Sequence, residues 1–534
     1  MTVMMGEPLD AAQEPASPRG RVVMLVDNGV EGDSRVQKAA RSAAAAGWDV
    51  ILLGVREPAS RRTEWRIGEA RVRLVRFKRP LAVHRSMLHG SLRRPLAYGT
   101  IGMANNRLQM VQAWQVELRQ RFAALAIARG AGRSWWRDRL DRARLVPARS
   151  AVRVLGAWVR FRAAEYNRLT AAREDDASLL NRAGIRFWQA LRGDRCWRNL
   201  DPSLWDFEIG FGRIVDRLKP DIIHANDYRM IGVGARAKVR AAARGRDVRL
   251  VWDAHEYVPG LTPSFSWPRW LPAQVAHERE YARYADAVVT VSPALAELLR
   301  AGHRLPELPA VVMNCPERDE IGGDGALEAD VRTACGIGPD TPLLAYCGGI
   351  NAVRGVTLMV EALPELPGVH AAFVSVPPNG RRNGVDELEE RARALGVTDR
   401  VHVLPYVKHW QVVPFLATAD AAVSPLHHLP NHEIALSNKF FEYSHARLPL
   451  IVSDVRTMAA MVRQTGQGEV FRARDRADFV RAVRAVLADP QRYRAAYDTP
   501  GLLEQWTWSG QAAVLDRVYR SLVPATPALV PAQS

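Results

Sequence analysis

Short apolar runs alternate with amphipathic stretches along most of the chain. The apolar runs lie at 21–26, 50–53, 221–227, 250–256, 285–292 and 311–314, and again at 343–349, 401–407, 419–425 and 448–454. A continuous apolar run is typical of a parallel strand that is buried on both faces, and helical periodicity between such runs predicts βαβ units. The pattern therefore predicts an α/β protein with two doubly wound, Rossmann-like domains.

Polar residues follow several of these runs at the point where a strand ends. The run at 221–227 ends in Asn226 and Asp227, and the run at 250–256 ends in His255 and Glu256. The first run leads through a polar loop into a helix predicted from residue 35 to residue 46, without a Gly-x-Gly-x-x-Gly fingerprint, which argues against a dinucleotide site. Open α/β sheets bind ligands at the carboxyl ends of their strands.

The stretch 427–454 has the pattern of a polar loop, a helix start, an amphipathic helix and a buried strand. Ser437 and Asn438 are good N-cap residues, so the free N–H groups of the first turn, together with Lys439, would face an anion. Glu442 lies one turn further on, where a carboxylate can accept hydrogen bonds from two ribose hydroxyls. An ordinary solvated carboxylate is the alternative for Glu442, and Lys439 could instead extend over Phe440.

A second candidate for phosphate binding follows the run at 343–349. Gly348 and Gly349 lie at a strand-to-helix turn, where glycine lets the backbone approach a phosphate, and Arg354 follows five residues later. A cation near the start of a helix is unfavourable unless an anion is bound there. Together the two stretches predict a site for a nucleoside diphosphate.

Four segments in this half resemble, in the same order, the family-4 glycosyltransferases, which have the GT-B fold. They are 343–355, 401–407, 419–425 and 437–451. The resemblance implies two domains facing a cleft, and transfer of a sugar from a nucleoside diphosphate sugar to a hydroxyl acceptor, either a glycan or a lipid-linked molecule. It also implies retention of the anomeric configuration, with no cofactor and no metal. The family usually has Arg and Lys where this chain has Gly349 and Arg354.

The family signature Glu-x7-Glu is altered in this chain. Glu442 matches the second glutamate, which grips the ribose, whereas the position of the first is occupied by Ile434. Glu433 is one residue away and is the predicted replacement in the catalytic site, although a structural role fits Glu433 equally well. His432 and Asn431 are further candidates for contacting the sugar.

The resemblance extends to the N-terminal half. It implies that His255 is the cleft histidine that touches the donor sugar; a hydrogen-bonded structural histidine is the alternative. The segment that begins at Asp33 resembles a subset of the family in which this loop forms the floor of the cleft. Asn28, Gly29, Asp33 and Arg35 are therefore candidates on the acceptor side, although Asp33 and Arg35 could equally be structural.

The implied mechanism is electrostatic. Arg354, Lys439 and the helix start at Ser437 would stabilise the charge that develops on the leaving diphosphate. The family's retention is explained by front-face attack with the leaving phosphate as base, so no protein base is predicted.

The segment 81–200 carries most of the positive charge. It contains 23 Arg, no Lys and eight acidic residues, a net charge of +15 out of +17 for the chain. The patches at 107–114 and 152–162 predict amphipathic helices that bear Trp and Arg, which suits the surface of an anionic membrane. A solvated cap, an oligomerisation face or a consequence of an Arg- and Ala-rich composition are the alternatives.

The predicted organisation follows from these segments. It comprises a disordered leader (1–20), an N-terminal acceptor-side domain (21–80 plus 201–315) interrupted by the helical insertion (81–200), a nucleotide-sugar domain (331–490), closing helices (491–522) and a disordered tail (523–534). Four cysteines without metal spacing favour a reducing compartment. No apolar window is long enough to span a membrane, so the expected location is the cytoplasm, including the inner face of the cell membrane.

Three other functions fit part of this pattern. A nucleotide-sugar epimerase of the same fold would need no acceptor, and a non-catalytic relative could act as a binding protein through its basic insertion. Nucleic-acid binding is suggested by the isoelectric point of about 10.2, but the charge is confined to one insertion without a recognised motif, so no nucleic-acid partner is expected.

Overall fold

The computed structural model describes residues 19–56, 60, 62–76, 96–99, 101–130, 132, 134–174, 179–262, 268–317, 329–376 and 384–523. Apart from residues 19, 20 and 523, the predicted leader and tail lie outside the described residues. The chain forms two compact units. The first comprises Met1–Arg76, Phe211–Leu261 and Glu278–Ser534, and the second comprises Phe77–Gly210 and Thr262–His277.

The first unit contains two sheets. The first sheet has eight strands in the order β3-β4-β2-β1-β5-β6-β7-β8. Its strands are β1 (Arg21–Leu25), β2 (Asp49–Arg56), β3 (Glu64–Ile67), β4 (Ala70–Arg76), β5 (Ile222–Asn226), β6 (Arg249–Ala254), β7 (Ala287–Thr290) and β8 (Ala310–Val311). All neighbouring pairs are parallel except the edge hairpin of β3 and β4.

The second sheet has six parallel strands in the order β11-β10-β9-β12-β13-β14. They are β9 (Leu343–Cys347), β10 (His370–Val376), β11 (Val401–Pro405), β12 (Ala421–Ser424), β13 (Leu450–Ser453) and β14 (Gly468–Phe471). Alternate residues of β9 enter two separate hydrophobic cores, Leu343 on one face and Leu344 on the other. Burial on both faces explains the continuous apolar runs. The prediction of two parallel, doubly wound domains is confirmed.

The described residues form the following α-helices: α1 (Ser34–Ala45), α2 (Ile101–Gly130), α3 (Trp135–Glu174), α4 (Leu179–Arg192), α5 (Trp197–Leu200), α6 (Trp205–Leu218), α7 (Asp227–Ala242), α8 (Trp270–Ala282), α9 (Pro293–His303), α10 (Val331–Cys335), α11 (Thr357–Ala362), α12 (Val385–Ala394), α13 (Val412–Leu416), α14 (Pro430–Ile434), α15 (Asn438–His445), α16 (Arg456–Thr465), α17 (Arg476–Ala488), α18 (Pro490–Arg494) and α19 (Trp508–Leu522). Short 3₁₀ turns lie at Gly193–Cys196, Pro202–Leu204, Val258–Gly260, Ala352–Arg354, Leu363–Glu365, Thr398–Arg400, His409–Gln411, Ala495–Asp498 and Glu504–Trp506.

The last helix of the chain packs against the first. The indole of Trp508 in α19 donates to Ser42 Oγ of α1 at 2.7 Å, and the indole of Trp48 donates to Asp516 Oδ1 at 2.9 Å. Tyr519 is fully buried in the core of the first sheet. The C-terminal helix therefore completes the core that the N-terminal strand begins.

The second unit is built mainly on a helical hairpin of α2 and α3. Gly156 lets the helices approach closely, because a Cβ there would lie 3.1 Å from Val111 Cγ1. Val111 and Val159 are buried in the hairpin's own small core. The described part of the insertion is thus mostly helical, as predicted. None of the helices in the described part of the chain combines the length and apolar composition needed to cross a bilayer.

Two local predictions need correction. The predicted helix start at 354–355 is a 3₁₀ turn followed by Gly355 with φ of +67°, and α11 begins only at Thr357. A Cβ on Gly355 would lie 2.0 Å from the carbonyl oxygen of Pro425, so this turn packs tightly on the end of β12. The apolar runs also end earlier than predicted, since β5 ends at Asn226 and β9 at Cys347.

Candidate functional site

The turn after β9 brings Gly348 against Lys439. Gly348 has φ of +135°, and a Cβ there would lie 2.2 Å from Lys439 Cε. The turn is held by Tyr346, whose hydroxyl donates to the carbonyl of Gly349 at 2.9 Å, and by the N–H of Cys347, which donates to the Tyr443 hydroxyl at 2.9 Å. Gly348 is therefore required both by its backbone conformation and by the side chain packed on it.

The helix α15 presents its N-terminus at this turn. Phe440 and Phe441 are buried and fix the helix on the sheet. Ser437 occupies the N-cap position, but its side chain accepts no hydrogen bond from the first turn. The N–H groups of Asn438 and Lys439 therefore have no hydrogen-bond partner among the described residues. Free N–H groups at a helix start attract anions.

Two cations lie at the same place without counter-ions. In the described part of the chain, neither the Lys439 ammonium nor the Arg354 guanidinium has a hydrogen-bond or ion-pair partner. Burial, and then the charge of Arg354, lower the pKa of Lys439. Burial is also the main cause of the lowered pKa of His432, to which Arg354 contributes. Converging cations without a carboxylate partner are expected where an anionic ligand binds.

A cavity of about 480 Å³ opens beside α15. Its lining residues are Gly32, Ser34, Gln37, Lys38, Arg41, Ile67, Asn314, Pro316, Trp410, Asn438 and Glu442. The amide oxygen of Asn314 is buried without a hydrogen-bond donor among the described residues. The side chain of Trp410 is 41% exposed, with Lys408 Nζ 5.3 Å from its ring centre. Glu442 thus faces a cavity that also contains an aromatic surface and an unsatisfied hydrogen-bond acceptor.

The predicted catalytic Glu433 has partners on both carboxylate oxygens. Its Oε1 lies 2.5 Å from His428 Nδ1, and its Oε2 accepts the N–H of Arg456, the first residue of α16, at 2.8 Å. The hydrogen bond to Glu433 is the largest cause of the raised pKa of His428. This geometry favours a capping role for Glu433 over the predicted contact with the donor sugar.

Asn431 instead joins the two sheet domains. Its amide accepts the N–H of Tyr257 at 2.8 Å and donates to the carbonyl of Tyr257 at 3.1 Å. Nearby, Ser292 Oγ donates to the carbonyl of Ile434 at 2.6 Å. These bonds bring α14 directly beside the loop that carries His255.

His255 belongs to a buried charge network. Asp253 accepts two hydrogen bonds from Arg35, at 3.0 and 2.8 Å. The ring Nε2 atoms of His224 and His255 each lie 3.4 Å from Asp253 Oδ2. Burial opposes ionisation of Asp253, but the charge of Arg35, and then that of His255, hold its pKa well below the usual value. Burial and the charge of Arg35 oppose protonation of His255, but the Asp253 carboxylate prevails and raises the pKa of His255.

Exposure separates the two predicted residues of this network. The side chain of His255 is 19% exposed, and its Nε2 makes no hydrogen bond of good geometry with a described residue. Arg35 is only 4% exposed and is fully engaged, since it also donates to the carbonyl of Val312 at 2.6 Å. The His255 side chain therefore reaches the surface, although its Nε2 is buried beside Asp253. The prediction that Arg35 faces the acceptor does not fit its burial.

The other predicted cleft residues shape the loop before α1. Asn28 accepts the N–H of Val30 at 2.8 Å and donates to Asp33 Oδ2 at 2.8 Å. Asp33 is the N-cap of α1, and the carbonyl of Gly29 accepts from Glu31 at 2.7 Å. These contacts are structural. The residues of this loop region that line the cavity are Gly32 and Ser34.

A cluster that the sequence did not single out lies at the ends of β1, β5 and β6. Asp227 begins α7 with φ of +66°. Burial is the main cause that raises its pKa to about 7, Glu256 and Asp27 add to the rise, and His255 opposes it. Asp27 is paired with Arg229. The signal was present in the polar residues that follow the runs at 221–227 and 250–256. No group of three or more His, Cys, Asp or Glu side chains in the described ranges is arranged to hold a metal ion.

Two family models match the chain. The model described as "Glycosyl transferases group 1" matches residues 341–489, which include the Gly348 turn and α15. The model described as "Glycosyltransferase Family 4" matches residues 151–316, which include His255.

Curated relatives are similar at low identity. The chain is 26% identical over 209 residues to a D-inositol 3-phosphate glycosyltransferase from Xylanimonas cellulosilytica, covering 39% of this chain and 49% of that protein. It is 27% identical over 346 residues to a glycogen synthase from Mycobacterium tuberculosis, covering 63% and 72%. The chain thus spans about half the length of the first relative and more of the second.

Solved structures share the fold over most of their length. A sucrose-phosphate synthase from Thermosynechococcus elongatus gives a TM-score of 0.59 at 14% identity, covering 94% of this chain and 99% of that one. Anabaena Alr3699/HepE in complex with UDP and glucose gives a TM-score of 0.52 at 13% identity, covering 94% and 100%. At these identities the likeness shows the fold, which is GT-B.

Proposed function

We propose that this chain, which belongs to the family-4 glycosyltransferases, moves a sugar from a nucleoside diphosphate sugar to a hydroxyl acceptor with retention of anomeric configuration. One observation supports a nucleoside diphosphate sugar as the donor. Lys439 and the free N–H groups at the start of α15 lie at the Gly348 turn, and Arg354 is close enough to lower the pKa of Lys439. Neither cation has an ion-pair partner among the described residues. A diphosphate supplies the two negative charges that this arrangement lacks.

The same groups would act during the reaction. As the bond between the anomeric carbon and the phosphate oxygen breaks, negative charge grows on the leaving diphosphate, and fixed cations and N–H dipoles stabilise it. The new bond forms to the acceptor oxygen on the same face of the sugar, and the acceptor's proton passes to the leaving phosphate oxygen. This route needs no protein base and no metal, which fits the engagement of both Glu433 oxygens.

The nucleoside would bind in the cavity beside α15. Its volume of about 480 Å³ lies within the range of about 300–1,000 Å³ that is typical of ligand pockets. Glu442 would accept the ribose hydroxyls, and the exposed face of Trp410 would stack on the base. Because a structure of the same fold was determined with UDP and glucose, UDP is the first nucleotide to test.

His255 would orient the donor sugar. Its raised pKa, caused by the Asp253 carboxylate against the effect of burial, favours the protonated ring, which can donate to a sugar hydroxyl. Arg35 and His224 would affect the donor sugar only indirectly, because they hold Asp253, the partner of His255, in place. The acceptor would be a glycan or a lipid-linked molecule, used at the inner face of the cell membrane.

The test is a thermal-shift panel of UDP-, GDP-, ADP- and TDP-sugars. A donor at about 100 times its Kd should stabilise the folded protein by about 2.7 kcal/mol. Glu442→Ala should abolish the shift for the preferred donor, whereas Glu390→Ala, which removes an exposed carboxylate from α12 in the same domain, should retain it.

An acceptor screen completes the test. Acceptor-dependent release of nucleoside diphosphate would identify a transferase, because neither an epimerase nor a binding protein needs an acceptor to release it. The proposal fails if folded protein shows no shift with any donor.

A further inference from the structure

Four large apolar side chains near the end of the α2–α3 hairpin are exposed and are called the apolar cluster. Ile127 is 74% exposed, Trp135 65%, Trp136 53% and Leu140 48%. A helix rises 1.5 Å per residue, so these side chains start within about 8 Å of the turn that joins the two helices. Each is a side chain that would normally be buried, and they share one end of one hairpin.

This exposure does not result from a poorly packed hairpin. Further from the turn, Val111 and Val159 are buried between the two helices, and Arg162 stacks on Tyr98 at 4.2 Å from its ring centre. The hairpin therefore has its own core, and the cluster at its end is additional to that core. Contiguous exposed apolar surface generally marks an interaction site.

Positive charge surrounds the cluster. Residues 127–142 contain five Arg and two Asp, a net charge of +3. Arg137 lies over the ring of Trp136 at 5.1 Å and Arg139 over that of Trp135 at 5.8 Å. The one buried acidic side chain here, Asp138, is paired with Arg142 at 2.9 Å. The surface at the end of the hairpin is thus aromatic and cationic.

We propose that this hairpin end docks into the headgroup region of an anionic lipid bilayer. Indole rings favour the boundary between headgroups and acyl chains, the two aliphatic side chains gain from leaving water, and arginine binds lipid phosphates. The inference rests on the proposed function in one respect: it gives that transferase access to an acceptor held at a membrane.

Charge and chemistry favour lipid over other occupants. A second copy would bring a like-charged hairpin end against the first, which is unfavourable. Nucleic acid would be held by arginine and by stacking on Trp, but it offers nothing for Ile127 and Leu140 to bury against. A bilayer accommodates the cationic, aromatic and aliphatic groups together.

The experiment is co-sedimentation of the full chain with vesicles, without donor or acceptor. Vesicles of phosphatidylcholine alone are compared with vesicles that contain about a third phosphatidylglycerol, at low and high salt. We expect binding only to the anionic vesicles and its loss at high salt. Because no substrate is present, failure here would leave the donor thermal shift, and hence the proposed function, untouched.

Matched variants locate the surface. Trp135→Ser with Trp136→Ser should weaken binding at least about tenfold, and Arg137→Ser about fivefold. Trp158→Ser is the control and also tests the patch at 152–162, which the sequence pattern favoured for a membrane surface. Trp158 is 44% exposed on the same helix but about 35 Å from the hairpin end at 1.5 Å per residue. It should bind within about twofold of the wild type. Unchanged circular dichroism would show that each variant folds.

Four results of these experiments, and a fifth from light scattering, would overturn the proposal. They are absence of vesicle binding by the wild type, equal binding to neutral and anionic vesicles, equal losses in the Trp158 and the double Trp variants, and binding of duplex DNA without binding of vesicles. A dimer by light scattering that the double variant abolishes would assign the cluster to a second copy instead.

Discussion

Replacing Gly348 by alanine should have two separately measurable effects, a loss of fold stability and a loss of donor affinity. Gly348 has φ of +135°, and the new Cβ would lie 2.2 Å from Cε and 2.6 Å from Nζ of Lys439. The backbone strain should destabilise the fold by about 1–3 kcal/mol. The clash is with the far end of a flexible side chain, so it is relieved when Lys439 swings away, which removes a cation from the diphosphate site.

The effect on donor binding follows from that displacement. A hydrogen bond to a charged group contributes about 1.5–3 kcal/mol, so losing the Lys439 contact should weaken donor binding by about tenfold to 150-fold. Gly349→Ala is the control, because its Cβ would meet nothing closer than the Tyr406 hydroxyl at 3.8 Å. It makes the same chemical change one residue away without displacing Lys439, so it should weaken donor binding less than Gly348→Ala does.

Two measurements are needed. Denaturant unfolding without ligand measures the loss of stability that the backbone strain causes. Calorimetric titration of folded samples with the preferred donor measures the binding affinity. Equal donor affinity in the Gly348 and Gly349 variants would refute the argument, because the Lys439 side chain would then contribute nothing at this turn.

Three further predictions concern charge. Arg35→Met leaves the buried Asp253 carboxylate without its main partner and should destabilise the protein by about 3–5 kcal/mol in denaturant unfolding. The control Arg66→Met breaks an exposed pair and should change stability by less than about 1 kcal/mol. The pKa of Asp227 is raised from 3.8 to about 7, mainly by burial. Between those pH values the folded state holds a proton that the unfolded state has released, so stability should fall as pH rises; Asp227→Asn should flatten that part of the pH profile, and an unchanged slope would contradict the assignment. Lys439→Met should raise the melting temperature without ligand while removing the donor-induced shift, and a lower melting temperature would show that Lys439 has an unrecognised partner.

Local pattern was sufficient to predict the elements on which the site is built. The first strand and helix of the chain, the Gly348 turn and the helix after Ser437 all lie at or within a few residues of where apolar runs and capping residues placed them. Each of these is decided by neighbours close in sequence: a run buried on both faces, a polar break, and a residue suited to a helix start. The strands β3, β4, β10 and β14 were not predicted from the same pattern.

Side-chain roles that depend on distant partners could not be predicted in this way. Arg35 and Asp253 are 218 residues apart in the chain, and only the fold shows that they form one buried pair. Likewise, Glu433 adjoins the missing glutamate position in sequence, but its carboxylate is directed at the N-terminus of α16 by the helix turn it occupies. A one-residue shift on a helix rotates a side chain by about 100°, so proximity in sequence does not preserve a role.

The charges of Arg35 and Lys439 have opposite effects on the stability of the free protein. Arg35 is neutralised by Asp253 within the chain, so its charge contributes to folding. Lys439 is half-buried near Arg354 and makes no hydrogen bond or ion pair with a described residue. Burial and then the charge of Arg354 lower its pKa although the Glu442 carboxylate opposes this, so keeping Lys439 charged there carries an unfavourable energy. That energy is recovered only when an anion binds. Such a cation destabilises the free protein and stabilises a bound diphosphate. Its favourable interaction with the diphosphate is strongest as the leaving group acquires charge, and an interaction that strengthens in the transition state lowers the barrier to transfer.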